Sequence, residues 1–251
     1  NLPAFASFID NHNGTGVLHV APGTTVGVFS NVIITATDDK GSSSSKTFNI
    51  VVSENGLTKI LVNFNITNPV GSPWNSFNSF PNQGTILPNL LNSRGSQTNV
   101  SVTLVDNWDN GNDLDAVTGN NSGIYPDEII RTAYFESTTN ARRIRVSGLT
   151  NTGNTKYNLL FFASRGGVGD TRNVIFTVGS QSVTLNASNN SSNVAQISGL
   201  VADANGNIEF TVQKASGSAY GYINALEIQS YVDNGNTPTL AAPANLTAAA
   251  M

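Results

Sequence analysis

Short runs in which apolar and polar residues alternate, each closed by Gly, Asn, Asp or Pro, constrain this chain more than any other feature. KTFNIVVS at Lys46–Ser53, ARRIRVSGL at Ala141–Leu149 and NIEFTVQKA at Asn207–Ala215 are examples. A two-residue period sends successive side chains to opposite faces of a strand, so each run can bury one face. No segment sustains the 3.6-residue apolar period of an amphipathic helix. The pattern predicts an all-β fold, a sandwich or barrel, because many short strands bury their apolar faces by stacking sheets. Candidate strands occupy residues 26–38, 46–53, 58–66, 98–106, 141–149, 156–165, 173–179, 182–188, 193–201, 207–215 and 222–232. DDKGS, VGSQS, DANGN and ASGSAYG supply turns, with DANGN read as a hairpin. One short helix is expected near Pro126–Ala133, starting at PDEII.

The same pattern divides the 251 residues into three zones. Residues 1–55 hold two or three strands, too few to close a sandwich. Residues 57–232 hold enough for a complete two-sheet domain. Residues 233–251, DNGNTPTLAAPANLTAAAM, read as a linker entering something new. The NLPAF opening has neither a basic segment nor a long apolar one, so the chain is expected to be a mature piece of a longer protein.

Hydrophobic content of 39% is enough for a packed core, while charged residues make up only 11%, against roughly 25% in ordinary soluble domains. Asn, Ser, Thr and Gly replace Lys and Glu, as on many extracellular β modules. A net charge of -4 argues against nucleic acid as a partner, since that needs a basic footprint. No run of 18 apolar residues exists, so membrane insertion is not expected. The absence of cysteine rules out disulfides, thiol chemistry and Cys-based zinc sites.

Three stretches carry family resemblances. NGTG, APG, ITATDDKG and TFNIVV in residues 1–55 resemble the second half of a bacterial immunoglobulin-like or cadherin-like repeat. ILVNFNITNPVGSPWNSF, SGIYPDEIIRTAYF, ARRIRVSGL, YNLLFFASR and GYINALEIQSY together resemble malectin-like, galactose-binding-like jelly-roll modules of Bacteroidota-type surface or secreted proteins. TLAAPANLTAAA resembles the first strand of a fibronectin type III domain. The resemblances imply a two-sheet jelly-roll sandwich preceded by a partial immunoglobulin-like domain. They also imply an extracellular or cell-surface location, neighbouring β domains on the same polypeptide, and a role in cell adhesion or polysaccharide degradation.

Catalytic machinery is hard to assemble from these residues. There is no G-x-S-x-G elbow and no HExxH, and the only histidines, His12 and His19, lie in the N-terminal zone. The stretch DNWDNGNDLDAVTGNNSGIYPDE concentrates Asp106, Asp109, Asp113, Asp115, Asp127 and Glu128 in one loop. A glycosidase instead needs two acids facing each other across a cleft. Within that run, D-N-G-N-D-L-D makes Asp109, Asp113 and Asp115 candidate calcium ligands, since calcium takes six to eight hard oxygens. The run lacks the full EF-hand order, and a plain polar loop is the competing reading. Asp38 and Asp39 in ATDDKG are a second calcium candidate, against an Asp-rich turn.

Sugar binding has the best chemical case. Aromatic faces stack on the C–H face of a sugar ring, while polar side chains read its hydroxyls. Trp74, Trp108, Tyr125 and Tyr220 lie on Gly- and Asn-rich segments, with Asn75, Asp127 and Arg165 among them. Either tryptophan could instead fold back to cap the sandwich. Tyr222 alternates within a strand and reads as a core or sheet-face residue. Arg142, Arg143 and Arg145 are either an anion site or a salt-bridged strand, and Arg165 and Arg172 flank the glycine-rich GGVGDT. These features point to a non-catalytic carbohydrate-binding module whose partner is a polysaccharide or glycoconjugate, with calcium as its one candidate cofactor. Two alternatives stay open. One is a structural spacer or filament subunit assembling through exposed strand edges. The other is a glycoside-active enzyme domain.

Overall fold

The computed structural model describes residues 2–20, 27–52, 58–113 and 115–233. The chain forms two compact units, one containing Asn1–Asn55 and the other Gly56–Asn236. The first unit has two antiparallel hairpins. β1 (Ala6–Asp10) pairs with β2 (Gly16–Val20), and β3 (Gly27–Thr37) pairs with β4 (Ser43–Val52). Thr35 and Thr37 face Ser45 and Ser43 across the second hairpin and share hydroxyl hydrogen bonds of 2.8 and 2.9 Å. Phe5 meets Phe29 edge to face at 4.7 Å. The APG turn and the segment resembling a fibronectin strand lie outside the described residues.

The second unit is a sandwich. Its strands are β5 (Thr58–Asn63), β6 (Trp74–Ser76), β7 (Ile86–Leu87), β8 (Ser101–Leu104), β9 (Asn110–Asn112), β10 (Ala133–Glu136), β11 (Arg142–Ser147), β12 (Thr155–Phe162), β13 (Asn173–Val178), β14 (Gln181–Asn186), β15 (Ala195–Leu200), β16 (Ile208–Lys214), β17 (Gly221–Ile223) and β18 (Ala225–Val232). One sheet runs β14-β13-β16-β11-β8-β7, the facing one β15-β12-β18-β5-β6. Period-two burial along β11, β13 and β16 turns alternate side chains inward. Phe161 of β12 stacks on Phe176 of β13 at 4.5 Å, and Phe210 of β16 lies 5.0 Å away, so aromatic rings join the two sheets. The fold class is therefore all-β, with a two-sheet sandwich at its centre.

Two additions shape the candidate site. A single helical turn, α1 (Asp127–Ile130), covers the outer face of the five-stranded sheet. Its Ile129 and Ile130 pack with Trp74, Phe162 and Ala225 in a second, smaller core. A three-stranded sheet, β17-β10-β9, stands beside the main pair. β9 is the sequence NGN, which has no intrinsic strand preference. Gly111 makes it possible, because a Cβ there would lie 2.4 Å from Ile66 Cγ2 and 3.0 Å from the Ala133 carbonyl oxygen. DANGN is a tight turn, with the Asp203 carboxylate accepting from the Asn205 and Asn207 amides. It is not a hairpin, because the flanking β15 and β16 belong to different sheets.

Candidate functional site

The acidic stretch does not form one site. It enters β9 and leaves through α1, and its carboxylates point to separate partners. Asp106 is clamped by Arg143 through Nε at 3.0 Å and Nη2 at 2.7 Å, which holds its carboxyl below the usual range. Asp109 accepts from the Ser137 amide at 2.8 Å and from its hydroxyl. Asp113 pairs with Arg131 at 3.5 Å. Asp115 turns inward to Arg165 and Asn224. Asp127 accepts from the amides of Thr118 and Gly119 and from the Thr118 hydroxyl, and the Thr118 amide leads in holding its carboxyl low. Among the described residues no group of three or more His, Cys, Asp or Glu side chains is arranged to hold a metal ion. The expected trio Asp109, Asp113 and Asp115 is thus dispersed, because each carboxylate already serves a backbone amide or a cation. In the first unit Asp38 accepts from the amides of Lys40 and Ser42, a local turn. No hydrogen bond or ion pair joins Asp39 to it.

Most of the expected sugar contacts are also redirected inward. Trp74 is 8% exposed and meets Tyr125 edge to face at 5.1 Å, while Tyr125 does the same to Phe162 at 5.5 Å. Burial and the neighbouring Glu227 push the Tyr125 hydroxyl pKa up. Trp108 is 7% exposed, inside the main core near Tyr134. Neither tryptophan offers a ring face to a ligand. The reason is that α1 and the edges of the sandwich need large apolar caps, and burying a ring is worth more than leaving it wet. Asn75 is structural too: its amide donates to the Leu61 and Leu91 carbonyls and accepts from the Leu91 amide. Arg142, Arg143 and Arg145 pair with Glu136, Asp106 and Glu209, so this basic run is a salt-bridged strand.

Of the expected ligand-binding residues, Arg165 and Tyr220 are the two that line one cleft, and the structure adds partners that sequence reasoning missed. They line a cavity of about 330 Å³ beside the small sheet, within the usual range for ligand clefts. β9 contributes Gly111 and Asn112, β10 contributes Phe135, and β17 contributes Tyr222. Phe135 and Tyr222 are cross-strand neighbours. Phe135 and Tyr220, both half-buried, meet at 84° with centroids 5.5 Å apart. Two rings at right angles give the cleft a floor and a wall. Arg172 lies over the Tyr220 ring at 5.5 Å and donates from Nη1 to the Tyr222 hydroxyl at 2.9 Å. Its Nε pairs with the Asp170 carboxylate at 2.8 Å.

The backbone holds both arginines. The Arg165 amide donates to Ala187, the Asn189 amide donates to Arg165, and the Ala187 amide donates to Arg172. Gly166 lets this segment lie against Asp115 and Ala116, since a Cβ there would be 2.8 Å from the Ala116 nitrogen. Behind Arg165 sits Asp115, whose side chain is fully buried. Its carboxylate accepts from Arg165 Nη1 at 3.3 Å and from Asn224 Nδ2 at 3.1 Å. Burial pushes its carboxyl pKa up to about 7 against the pull of Arg165.

No family model matches the chain, and no curated protein matches it either. Among solved structures it is similar to a β-glucuronidase of Bacteroides uniformis, at 12% identity and a TM-score of 0.42 over 85% of this chain and 24% of that one. It is also similar to an exo-β-1,3-galactanase from Phanerochaete chrysosporium bound to galactose, at 16% identity and a TM-score of 0.26 over 54% of this chain and 31% of that one. A third likeness is to carbohydrate-binding modules of the β-sandwich superfamily, at 12% identity and a TM-score of 0.26 over 90% of this chain and 83% of that one. The chain spans about a quarter of the length of the glucuronidase. At such distances no residue role carries over, and the sandwich assignment stands on the sheets themselves.

Proposed function

We propose that the second unit is a non-catalytic carbohydrate-binding module and that the cleft beside β9, β10 and β17 is its binding site. The observation that supports this is the right-angled pair Phe135 and Tyr220, flanked by Arg165, Arg172 and Asn112. One ring stacks on the sugar's C–H face, and the arginines and amide bond its hydroxyls. Asp and Glu are missing from the cleft lining, so the pair of facing acids that glycoside hydrolysis uses is not among these residues. An extracellular or cell-surface protein that holds polysaccharide is the setting that suits such a module. Affinity electrophoresis through gels containing polysaccharides tests the reading. Retardation on at least one polysaccharide, lost in Tyr220→Ala, is expected. A chain that no polysaccharide retards is not a carbohydrate-binding module.

A second reading, a spacer or filament segment, has one observation in its favour. The described hairpins of the first unit are separate two-stranded sheets, and Phe8, Ile9, Val17, Val20 and Ile33 are 41–52% exposed on them. Pairing of such edges between chains would bury them. Sedimentation showing only monomer at high concentration argues against that reading.

A further inference from the structure

Building on the carbohydrate reading, we infer that the cleft is selective for an anionic sugar, one bearing a carboxylate or a sulfate, held against Arg165 and Arg172. The lining residues include two arginines and no carboxylate. That is uncommon in a chain where acids outnumber Lys and Arg by 16 to 12. The acids that balance these arginines are set away from the cleft. Asp115 is buried behind Arg165, and Asp170 is half exposed and outside the lining. What a ligand meets is therefore guanidinium beside aromatic rings. Among the described residues Arg165 reaches one side-chain partner, through Nη1 at a long 3.3 Å, which leaves its Nε and Nη2 for a ligand. Arg172 uses Nη1 on Tyr222 and keeps Nη2. Paired N–H donors on a planar cation match the oxygens of a carboxylate or sulfate better than a lone hydroxyl, and such charge-assisted bonds are the stronger kind. Half-burial of both side chains lowers the local dielectric, which strengthens the attraction further. A neutral sugar would leave these donors partly unsatisfied.

The test varies charge within each of two sugar backbones, acid against methyl ester and sulfate against neutral. Isothermal titration of the whole chain would use polygalacturonate oligomers, the same oligomers methyl-esterified, a neutral galactan oligomer and a sulfated galactan oligomer. The expected result is that an acidic oligomer binds roughly tenfold or more tighter than its neutral counterpart. Its affinity should fall as salt rises from about 0.05 to about 0.5 M. The carboxylate and sulfate arms show which acid group the cleft takes. Arg165→Gln should cut the preference severalfold and weaken its salt dependence, leaving what Arg172 supplies. Arg172→Lys, which keeps the charge but not the planar fork, should reduce it. Unchanged tryptophan fluorescence, reporting Trp74 and Trp108, shows that each variant is folded. If ester and acid bind equally, or if Arg165→Gln discriminates between them no less than the wild type, the inference fails while the carbohydrate reading stands. If none of the four oligomers binds and no polysaccharide retards the chain, both fail.

Discussion

Replacing Asp115 with asparagine should flatten the pH dependence of stability of the second unit between about pH 4 and pH 7. The carboxyl is buried, with burial the leading cause of a pKa pushed up to about 7 from the ordinary 3.8. Below about pH 4 both folded and unfolded chains hold this proton. Between 4 and 7 the unfolded chain releases it and the folded chain keeps it, so the folded state binds more protons and stability falls as pH rises. Above about 7 both have released it and the loss is complete. A difference of about three in pKa corresponds to about 4 kcal/mol, with a slope approaching 1.4 kcal/mol for each pH unit in mid-window. Asp106, Asp109, Asp127 and Asp203 have lowered values and act in the opposite sense, but their window lies below about pH 4. Both tryptophans lie in the second unit and both histidines in the first, so tryptophan fluorescence during urea unfolding isolates the relevant change. Measured from pH 5 to pH 8, the wild type should lose about 3 kcal/mol. Asp115→Asn should lose well under half of that. A flat wild-type profile, or a slope that survives in the variant, would refute burial of Asp115 as its cause.

Other expectations follow from single contacts. Trp74→Ala should cost about 3–5 kcal/mol in urea unfolding, because it empties the pocket under α1, yet the folded variant should be retarded in polysaccharide gels no less than the wild type if the proposed cleft is the binding site. Gly111→Ala should cost about 1–3 kcal/mol by overpacking against Ile66, and Ile66→Ala in the same chain should recover part of that loss. Asp127→Ala removes the acceptor for the Thr118 and Gly119 amides, and hydrogen exchange at those two positions should speed up while the sheet amides stay protected. With Asp109, Asp113 and Asp115 engaged elsewhere, millimolar calcium and EDTA should give melting temperatures within about 1 °C of each other.

The long strands were legible because their burial follows a local rule. β11, β13 and β16 alternate in sequence and alternate in the sandwich. The short strands were not. β9 is NGN, and β17 is GYI, whose Tyr222 and Ile223 read as the start of one strand running to Val232; their pairing with β10 depends on close approach at Gly111 and on partners as many as 89 positions apart, Tyr134 with Ile223. The cleft is built on those short strands, so most of it stayed hidden. Tyr222 read as a core or sheet-face residue, and it is indeed 2% exposed, but its hydroxyl still reaches Arg172 at the cleft. Arg165 and Arg172 were visible as flanks of a glycine-rich loop. What sequence could not supply was that Ala187 and Asn189 would anchor that loop beside Phe135 and Tyr220.

The tryptophans show why an aromatic on a polar loop has two opposite fates. A ring stays available for a ligand only if the fold has no uncovered apolar surface nearby for it to close. Trp74 sits at the edge of the five-stranded sheet, where α1 brings two isoleucines down on Phe162 and leaves a gap of aromatic size. Trp108 lies in the segment between β8 and β9 and is buried in the main core. Both rings are buried at a gain of about 2–3 kcal/mol or more per ring. Tyr220 packs only partly against the main core. It precedes β17 in the small sheet, and its neighbours are Phe135, Tyr222 and a charged guanidinium, so its ring remains half-buried in a concave surface. Location relative to unfilled sheet faces, more than the polarity of the surrounding loop, separates a capping aromatic from one that can meet a sugar.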